Sequence, residues 1–376
     1  MRKPFAVVAG IFAGVMAAMG APGAALAAAP PQVLMYAVNS PGSLADFAAH
    51  ARQIAIIAPQ VFVMNAKGQV TGQVPAIIVR LAARDHIKLM PLVTNAGFSL
   101  AVMDAVLHSP AAERRMIADL ARDGRVGHWW GVQFDFEHIP SRDRARYSRL
   151  AAAAERAFHR EGLKFSVTIV PRISSNPRAF SAGGWKTWSG VYDYRALGRH
   201  TDFVTVMTYS EHSGLTAPGP VSGMPWIRAC VRYALRFMPA SKVSIGAAFY
   251  STEWTARPGM PVPHVAAIPA RYQPLHPSPW KARGGGSAWL EALWRHYPGR
   301  WDPAQQVYVT IHRGPRATRV IWWSRARSLQ ALWRLTRREH LAGISAWRLG
   351  QEDPNAWRVL PGAGGAARKA SSAAGR

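Results

Sequence analysis

Two carboxylates end an apolar stretch at residues 131–137, where the sequence reads GVQFDFE. They are Asp135 and Glu137, and side chains two positions apart on a β-strand project from the same face. Neighbouring carboxylates resist ionising together, which raises the pKa of one and leaves a proton donor beside an anion. Cleavage of a glycosidic bond by acid and base catalysis uses such a pair. A buried ion pair with one of the many arginines is the structural alternative.

The spacing of this pair leaves the stereochemistry of such a reaction open. Positions i and i+2 of a strand lie roughly 6.6 Å apart, between the carboxylate separations of about 5–5.5 Å in retaining enzymes and about 6.5–9.5 Å in inverting enzymes. Side-chain direction is more informative, because two acids that rise from one strand approach a sugar from similar sides. The attacking group must then come from elsewhere, and a 2-acetamido group on the substrate is the obvious candidate.

Other acids and aromatic residues follow later apolar stretches. Tyr209 and Glu211 occupy alternate positions after the sixth stretch, Tyr250 and Trp254 follow the seventh, and Trp347 lies near the end of the eighth. In a parallel barrel the carboxyl ends of all strands form one mouth. We therefore expect these side chains to converge there, around a ring-shaped polar ligand with flat apolar faces.

The elements that must position these residues follow a repeating pattern. Apolar, β-branched stretches alternate with longer segments rich in Ala, Leu and Arg, which is typical of strand and helix units with a parallel sheet. Eight such units predict an α/β fold, a closed (β/α)8 TIM barrel. The predicted strands are 33–38, 61–65, 88–94, 131–137, 164–170, 203–209, 242–249 and 343–349, and the predicted helices are 44–57, 111–123, 141–161, 225–237 and 328–340.

The gap between the seventh and eighth strands is too long for a single loop. It contains its own β signals at residues 306–312 and 318–323, separated by the turn sequence Arg-Gly-Pro. The sequence therefore predicts a small β-rich insertion at about residues 255–325.

The two ends of the chain have compositions of their own. A basic start precedes an apolar run at residues 5–26 that ends in small residues, which is typical of a secretory signal cleaved after Ala27. An uncleaved membrane anchor is the alternative, although glycines and a proline interrupt the run. Residues 28–360 then form the catalytic barrel, and residues 361–376 are predicted not to fold. We expect export to the periplasm or to the cell exterior.

The charge of the chain indicates a class of partner. The 376 residues include 46 Lys and Arg against 20 Asp and Glu, a formal net charge of +26 at pH 7. Nucleic-acid-binding proteins often carry such charge, but no nucleic-acid motif is present, so export favours an anionic cell-wall surface instead. No obligate protein partner is indicated. The single cysteine, Cys230, excludes an intramolecular disulfide and is predicted to be a small core residue.

Several motifs together resemble glycoside hydrolase family 18, the chitinase-like enzymes. Residues 130–137 are similar to that family's catalytic strand, DxxDxDxE, and MTYSEH at 207–212 and SAWRLGQEDP at 345–354 resemble the YaaH-type branch of spore-cortex and peptidoglycan N-acetylglucosaminidases. The resemblance extends from Val33 to Trp357. It implies cleavage of β-1,4 bonds after N-acetylglucosamine in peptidoglycan or a chitin-like glycan, with retention of configuration and without a cofactor or metal ion.

The resemblance also implies a role for each matching residue. Glu137 is the implied general acid, which protonates the leaving oxygen and later activates water. Asp135 is implied to orient the acetamide nitrogen and to stabilise an oxazolinium intermediate, and Tyr209 to bond the acetamide carbonyl. Trp347 is implied to form the floor of the subsite before the scissile bond. Neighbouring subsites are expected to be shaped by Tyr250 and Trp254.

Three positions depart from the family pattern. Trp130 and Gln133 replace the two outer acids of DxxDxDxE. Gln133 is kept as a candidate substrate-binding residue and is expected to relay hydrogen bonds without charge. Ser210 stands where the family usually carries aspartate, which is expected to weaken the polar contacts near the acetamide. Glu211 is the acid closest in sequence and is kept as a candidate substrate-binding residue, although its side chain should point elsewhere.

A non-hydrolytic glycan-binding protein on the same barrel is the main alternative to an enzyme. Gln133 and Ser210 favour it, whereas Glu137, Asp135 and Tyr209 favour hydrolysis. A basic envelope scaffold recruited by charge alone is a third alternative. The spacing of the histidines at 138, 212 and 312 matches no metal-ligand motif, so no metal site is predicted.

Overall fold

The computed structural model describes residues 30–265 and 279–361. The predicted signal peptide, residues 1–27, lies outside these ranges, as does the predicted tail beyond residue 361. Within the described residues, the helices are all too short or too polar to cross a bilayer. Cys230 is buried, as the sequence predicts.

Eight parallel strands close into a barrel, because the first strand pairs with both the second and the last. Each is a short run of mostly buried residues. They are β1 (Gln32–Val38), β2 (Ile56–Met64), β5 (Leu92–Asn95), β6 (Gly131–Asp135), β7 (Lys164–Ile169), β8 (Phe203–Val206), β9 (Val243–Ala248) and β15 (Gly343–Trp347). Two short strands, β3 (Val70–Thr71) and β4 (Lys88–Leu89), pair with β2.

Side-chain alternation along β6 separates two environments. Val132, Phe134 and Phe136 belong to the large apolar cluster that the strands share with the helices. Gln133 and Asp135 point to the other side, where their side chains bond residues of neighbouring barrel strands. The period-2 pattern of the sequence thus places polar groups inside the barrel and apolar groups against the helices.

Helices surround the barrel and begin where the sequence provides caps. Ser109 accepts a hydrogen bond from the Ala112 amide at 3.3 Å, and a proline follows it at the first helical position. The helices are α1 (Pro41–His50), α2 (Ala76–Arg84), α3 (Leu100–Leu107), α4 (Pro110–Val126), α5 (Arg144–Arg160), α6 (Ala182–Gly184), α7 (Tyr194–Arg199), α8 (Met224–Ala234), α9 (Ser287–His296), α10 (Ala326–Arg338) and α11 (Ala356–Val359). Between α6 and α7 a single π-helical turn spans Trp185–Ser189.

One predicted helix was too long. The helix predicted at 44–57 ends at His50, and Ile56 and Ile57 instead begin β2. Ile56 lies between Leu34 of β1 and Lys88 of β4 in the sheet. Parallel pairing on both sides therefore overrides the apolar helical spacing that suggested a continuous helix.

The chain between β9 and β15 forms a second sheet. Its antiparallel strands are β10 (Thr252–Ala256), β11 (Lys281–Arg283), β12 (Arg300–Asp302), β13 (Val307–Arg313) and β14 (Thr318–Trp323), in the order β11-β10-β14-β13-β12. The hairpin of β13 and β14 matches the two β signals of the sequence. The prediction of a (β/α)8 barrel with a β-rich insertion is confirmed.

Candidate active site

The predicted acid pair lies at the carboxyl end of β6. Asp135 is the last residue of the strand and is buried. Its carboxylate accepts a hydrogen bond from the Thr168 hydroxyl on β7 and another from Gln60 on β2. Burial raises the pKa of the Asp135 carboxyl, and these two hydrogen bonds oppose that rise.

Glu137 follows two residues later and is only partly buried. Its backbone is held by Asn95, whose Oδ1 accepts from the Glu137 amide at 3.0 Å and whose Nδ2 donates to the Glu137 carbonyl at 3.1 Å. Burial raises the pKa of the Glu137 carboxyl, and the neighbouring Asp135 raises it further. The pair therefore retains a proton near neutral pH on a group that reaches the mouth of the barrel.

Tyr209 lies beside this pair, beyond the end of β8. Its ring lies against the backbone of Gly246, where an added Cβ would stand 2.7 Å from the Tyr209 Cε1 atom. Burial raises the pKa of the Tyr209 hydroxyl well above its usual value, and Tyr36 and Asp135 contribute to the same direction. The hydroxyl thus stays protonated and able to donate a hydrogen bond close to Asp135.

Two further aromatic residues border the same mouth. Trp347 ends β15 partly exposed, with its ring 5.5 Å from the Tyr36 ring. The Tyr250 ring stands edge-on to Tyr209 at 6.4 Å. The Tyr250 hydroxyl lies 2.7 Å from the Oγ of Ser210, whose φ of 61° is a left-handed backbone conformation. Asp135, Glu137, Tyr209, Tyr250 and Trp347 are thus gathered around one opening.

Gln133 lies one step deeper in the barrel than Asp135 and is fully buried. Its Oε1 accepts from the Tyr36 hydroxyl at 2.8 Å, and its Nε2 donates to Ser166 at 2.8 Å and to Thr205 at 3.2 Å. Thr205 continues this network to Ser345 at 2.9 Å. Gln133 is therefore part of a neutral polar layer beneath the acids, where it relays hydrogen bonds and does not reach the surface that a substrate would contact.

A model of the family described as glycosyl hydrolases family 18 matches residues 54–352. The chain belongs to glycosyl hydrolase family 18. Both the family and the glycosidase class predicted from the sequence are confirmed.

Individual relatives agree with this membership. A cortical fragment-lytic enzyme of Bacillus subtilis (strain 168) is 29% identical over 276 residues, 72% of this chain and 59% of that protein. The chain thus spans about three fifths of that relative's length. The chitinase from Chromobacterium violaceum ATCC 12472 has a TM-score of 0.73 at 25% identity, over 88% of this chain and 98% of that one. The Bacillus cereus spore cortex-lytic enzyme SleL has a TM-score of 0.74 at 23% identity, over 88% of this chain and 73% of that one.

Two further predicted substrate-binding residues of this family 18 chain are buried among other groups of the chain. Trp254 has no exposed surface and packs in the core of the second sheet against Trp280 and Trp322. We therefore assign it to the insertion core rather than to a subsite. Glu211 is buried beneath the loop before α8, where its Oε2 accepts from the Gly223 amide at 2.7 Å. That contact fixes the loop to the start of α8.

Sequence reasoning missed several residues that position the site. They are polar residues of otherwise apolar strands: Tyr36, Gln60, Asn95 and Thr168. Tyr36, Gln60 and Thr168 take inward positions by period-2 alternation, and this was a usable signal because a polar residue inside a barrel must find a partner there. Asn95 falls on the opposite phase of β5 from Thr94 and gave no such signal.

Among the described residues, three side chains are grouped closely enough to suggest a metal site. Potential ligand atoms of Asp104, His108 and Asp143 lie within 4.8 Å of one another. Arg142 and Arg146 already form ion pairs with these acids. The arrangement is thus that of an ion-pair cluster, and it does not include the catalytic pair.

Proposed function

We propose that this family 18 enzyme hydrolyses the β-1,4 bond after an N-acetylglucosamine unit in peptidoglycan or a chitin-like glycan, with retention of configuration. The observation that carries the proposal is the acid pair at the barrel mouth. Glu137 is partly exposed with a raised pKa, Asp135 is buried beside it, and the protonated Tyr209 hydroxyl lies nearby.

The geometry supports a substrate-assisted reaction. Glu137 donates its proton to the glycosidic oxygen while the acetamide oxygen of the sugar attacks the anomeric carbon, which breaks the bond to the leaving group and forms an oxazolinium ion. Asp135, as an anion, stabilises the positive charge on that ring nitrogen. Tyr209 donates to the acetamide oxygen and orients it.

The second step restores the enzyme. Glu137, now ionised, accepts a proton from a water molecule that attacks the anomeric carbon and reopens the oxazolinium ring. Two inversions at one carbon give net retention. The protein supplies no carboxylate nucleophile in this scheme, so the separation of the two acids does not have to match that of a retaining pair.

Substrate and location are supported by different observations. The similarity to cortical fragment-lytic and cortex-lytic enzymes favours a peptidoglycan substrate. The basic and apolar amino terminus favours export, and the net charge of +26 favours retention at an anionic wall surface. Together they suggest an exported enzyme that acts on glycan near the cell wall.

The test compares wild type with Glu137→Gln on purified sacculi and on chito-oligosaccharides. Removal of a general acid is expected to lower the rate by roughly 10²–10⁴. Glu161→Gln, the same change at an exposed glutamate after α5, is the matched control and should leave the rate unchanged. Mass spectrometry of the products identifies the cleaved bond, and NMR of the first product identifies its anomer. A folded Glu137→Gln protein with wild-type turnover, or an inverted first product, contradicts the proposal.

A second candidate, a glycan-binding protein without turnover, is favoured by Ser210. Its hydroxyl bonds Tyr250 where the family pattern has a carboxylate. Binding of chito-oligosaccharides by the wild type, with no products after long incubation, would favour this candidate over the enzyme.

A further inference from the structure

A second pocket lies beside the catalytic strand, and none of the catalytic residues lines it. Its volume is about 270 Å³. It lies among the start of α5, the loop after β7, the start of α7 and the end of α8. Its wall combines three guanidinium groups with aromatic rings, and the residues used below are Arg144, Arg172, Arg195, Trp185, Tyr194 and Tyr233.

Arg172 is the most buried of the three arginines, at 4% exposure. Its guanidinium lies 4.7 Å from the Tyr194 ring, 5.4 Å from the Tyr233 ring and 5.6 Å from the Trp185 ring. One nitrogen donates to the Tyr192 carbonyl at 2.6 Å, while the buried Nε has no hydrogen-bond partner among the described residues. Aromatic faces offset part of the cost of burying a cation, and an anion bound at the free Nε would offset more of that cost.

The other two arginines add positive charge to the same pocket. The Arg144 guanidinium lies 5.7 Å from the Trp185 ring, and Arg195 is exposed at the rim. Burial and the neighbouring Arg172 lower the pKa of Arg144, and Asp193 opposes them. Asp193 is the one acid of the pocket wall, and its Oδ1 is already bonded to the Ala196 amide at 3.0 Å.

The charge of the pocket is therefore unbalanced. Within the part of the chain that the structure describes, none of these three arginines forms a salt bridge. Guanidinium groups bind carboxylates in a bidentate way, and aromatic faces pack against the apolar faces of sugars. The volume suits a single sugar unit rather than an oligosaccharide.

Contacts connect the pocket to the catalytic strand. Arg172 bonds the carbonyl of Tyr192, and the Tyr192 hydroxyl donates to the Phe136 carbonyl at 2.8 Å. Phe136 stands between Asp135 and Glu137 in the chain. Tyr192 therefore links the Arg172 guanidinium to the backbone segment that carries Asp135 and Glu137.

We propose that this pocket binds a carboxylate-bearing sugar unit of the glycan, with the guanidinium groups on the carboxylate and the aromatic rings on the sugar. The ligand class rests on the proposed function, which brings an acidic wall glycan to the enzyme. A neutral chitin chain has no group for these arginines, so the pocket would favour peptidoglycan over chitin.

The experiment measures binding of two matched probes by titration calorimetry. N-acetylmuramic acid is N-acetylglucosamine with an added lactic acid ether, so the pair differs by the carboxylate arm. Wild type is expected to bind the acidic sugar at least about tenfold more tightly. Arg195→Gln should reduce that preference several-fold, and Arg172→Lys should also reduce it because the planar fork is lost. Arg80→Gln, the same change at an exposed arginine of α2, is the matched control and should keep the preference.

Several results would overturn the pocket assignment. One is equal binding of the two sugars by wild type. Another is an unchanged preference in folded Arg195→Gln and Arg172→Lys proteins, which would place the acidic sugar elsewhere. A third is acetate or inorganic phosphate binding as tightly as N-acetylmuramic acid, which would make the pocket a general anion site. The binding measurement does not depend on turnover, so the two proposals can fail separately. A wild type that prefers the acidic sugar but cleaves no glycan refutes only the proposed hydrolysis. A wild type that cleaves glycan but binds both sugars equally refutes only the proposed pocket.

Discussion

The buried carboxyl of Glu211 allows a quantitative test of its assignment to the fold rather than to substrate. It is 2% exposed, its Oε2 accepts from the Gly223 amide, and its Oε1 has no partner among the described residues. Burial raises its pKa from 4.5 to about 8, and the Gly223 hydrogen bond opposes the rise. The perturbation is Glu211→Gln, which keeps a carbonyl acceptor for Gly223 and cannot ionise.

The sign and size of the effect follow from linkage. A carboxyl with a raised folded-state pKa favours the fold while it is neutral, so its contribution is fully present below pH 4.5 and is lost as pH rises through about 8. A shift of one pKa unit corresponds to about 1.4 kcal/mol, which sets an upper limit of about 5 kcal/mol for this loss. Glu211→Gln should therefore match wild type near pH 4 and exceed its free energy of unfolding by about 2–5 kcal/mol above pH 8.

Urea unfolding followed by tryptophan fluorescence at pH 4, 6 and 8.5 measures this difference. Glu161→Gln, at the exposed glutamate after α5, is the control and should follow wild type at every pH. The KM for glycan is measured in parallel and should not change. A Glu211→Gln protein whose free energy of unfolding follows wild type from pH 4 to 8.5 contradicts the raised pKa of Glu211, and a several-fold rise in KM would return Glu211 to the substrate site.

Three further outcomes test the roles assigned to Tyr209, Glu137 and Trp254. Gly246→Ala places a Cβ 2.7 Å from Tyr209 Cε1 and so displaces the Tyr209 ring, and kcat should fall at least about tenfold. Circular dichroism checks that the variant stays folded, and an unchanged kcat contradicts the role of Tyr209 in orienting the acetamide. Because Glu137 donates only while protonated, kcat/KM for glycan should fall as pH rises through its raised pKa, and a continuous rise up to pH 10 contradicts the general-acid role. Trp254→Phe should lower the free energy of unfolding by about 1–3 kcal/mol and leave KM unchanged, whereas the reverse pattern would restore a subsite role.

The barrel and its acid pair were predictable because each depends on local pattern. Buried runs with period-2 alternation fixed the strands, and the position of Asp135 at the end of β6 placed it at the mouth. The alternation also set Gln133 on the same side as Asp135, and its hydrogen bonds inside the barrel confirm that side. Local pattern failed at residues 44–57, where pairing with two neighbouring strands decides the conformation.

Residues beyond the strand ends were harder to place. Strand β8 ends at Val206, and Ser210 then takes a φ of 61°, so alternation counted from Tyr209 no longer fixes the direction of Glu211. The side of β10 that Trp254 occupies depends on antiparallel pairing with β14, more than sixty residues later in the chain. Such non-local contacts have no signature in the few residues around each position.

The loss of an acid at Gln133 is compatible with an active site because the layer beneath Asp135 remains satisfied. Gln133 accepts from Tyr36 and donates to Ser166 and Thr205, so its side-chain amide leaves no buried group without a partner there. An acid in its place would add a second negative charge below Asp135 and raise the pKa of that carboxyl further. With a neutral layer, the rise is set by burial and opposed by hydrogen bonds. Asp135 therefore ionises more readily, which suits a residue that must stabilise a cation while Glu137 holds the proton.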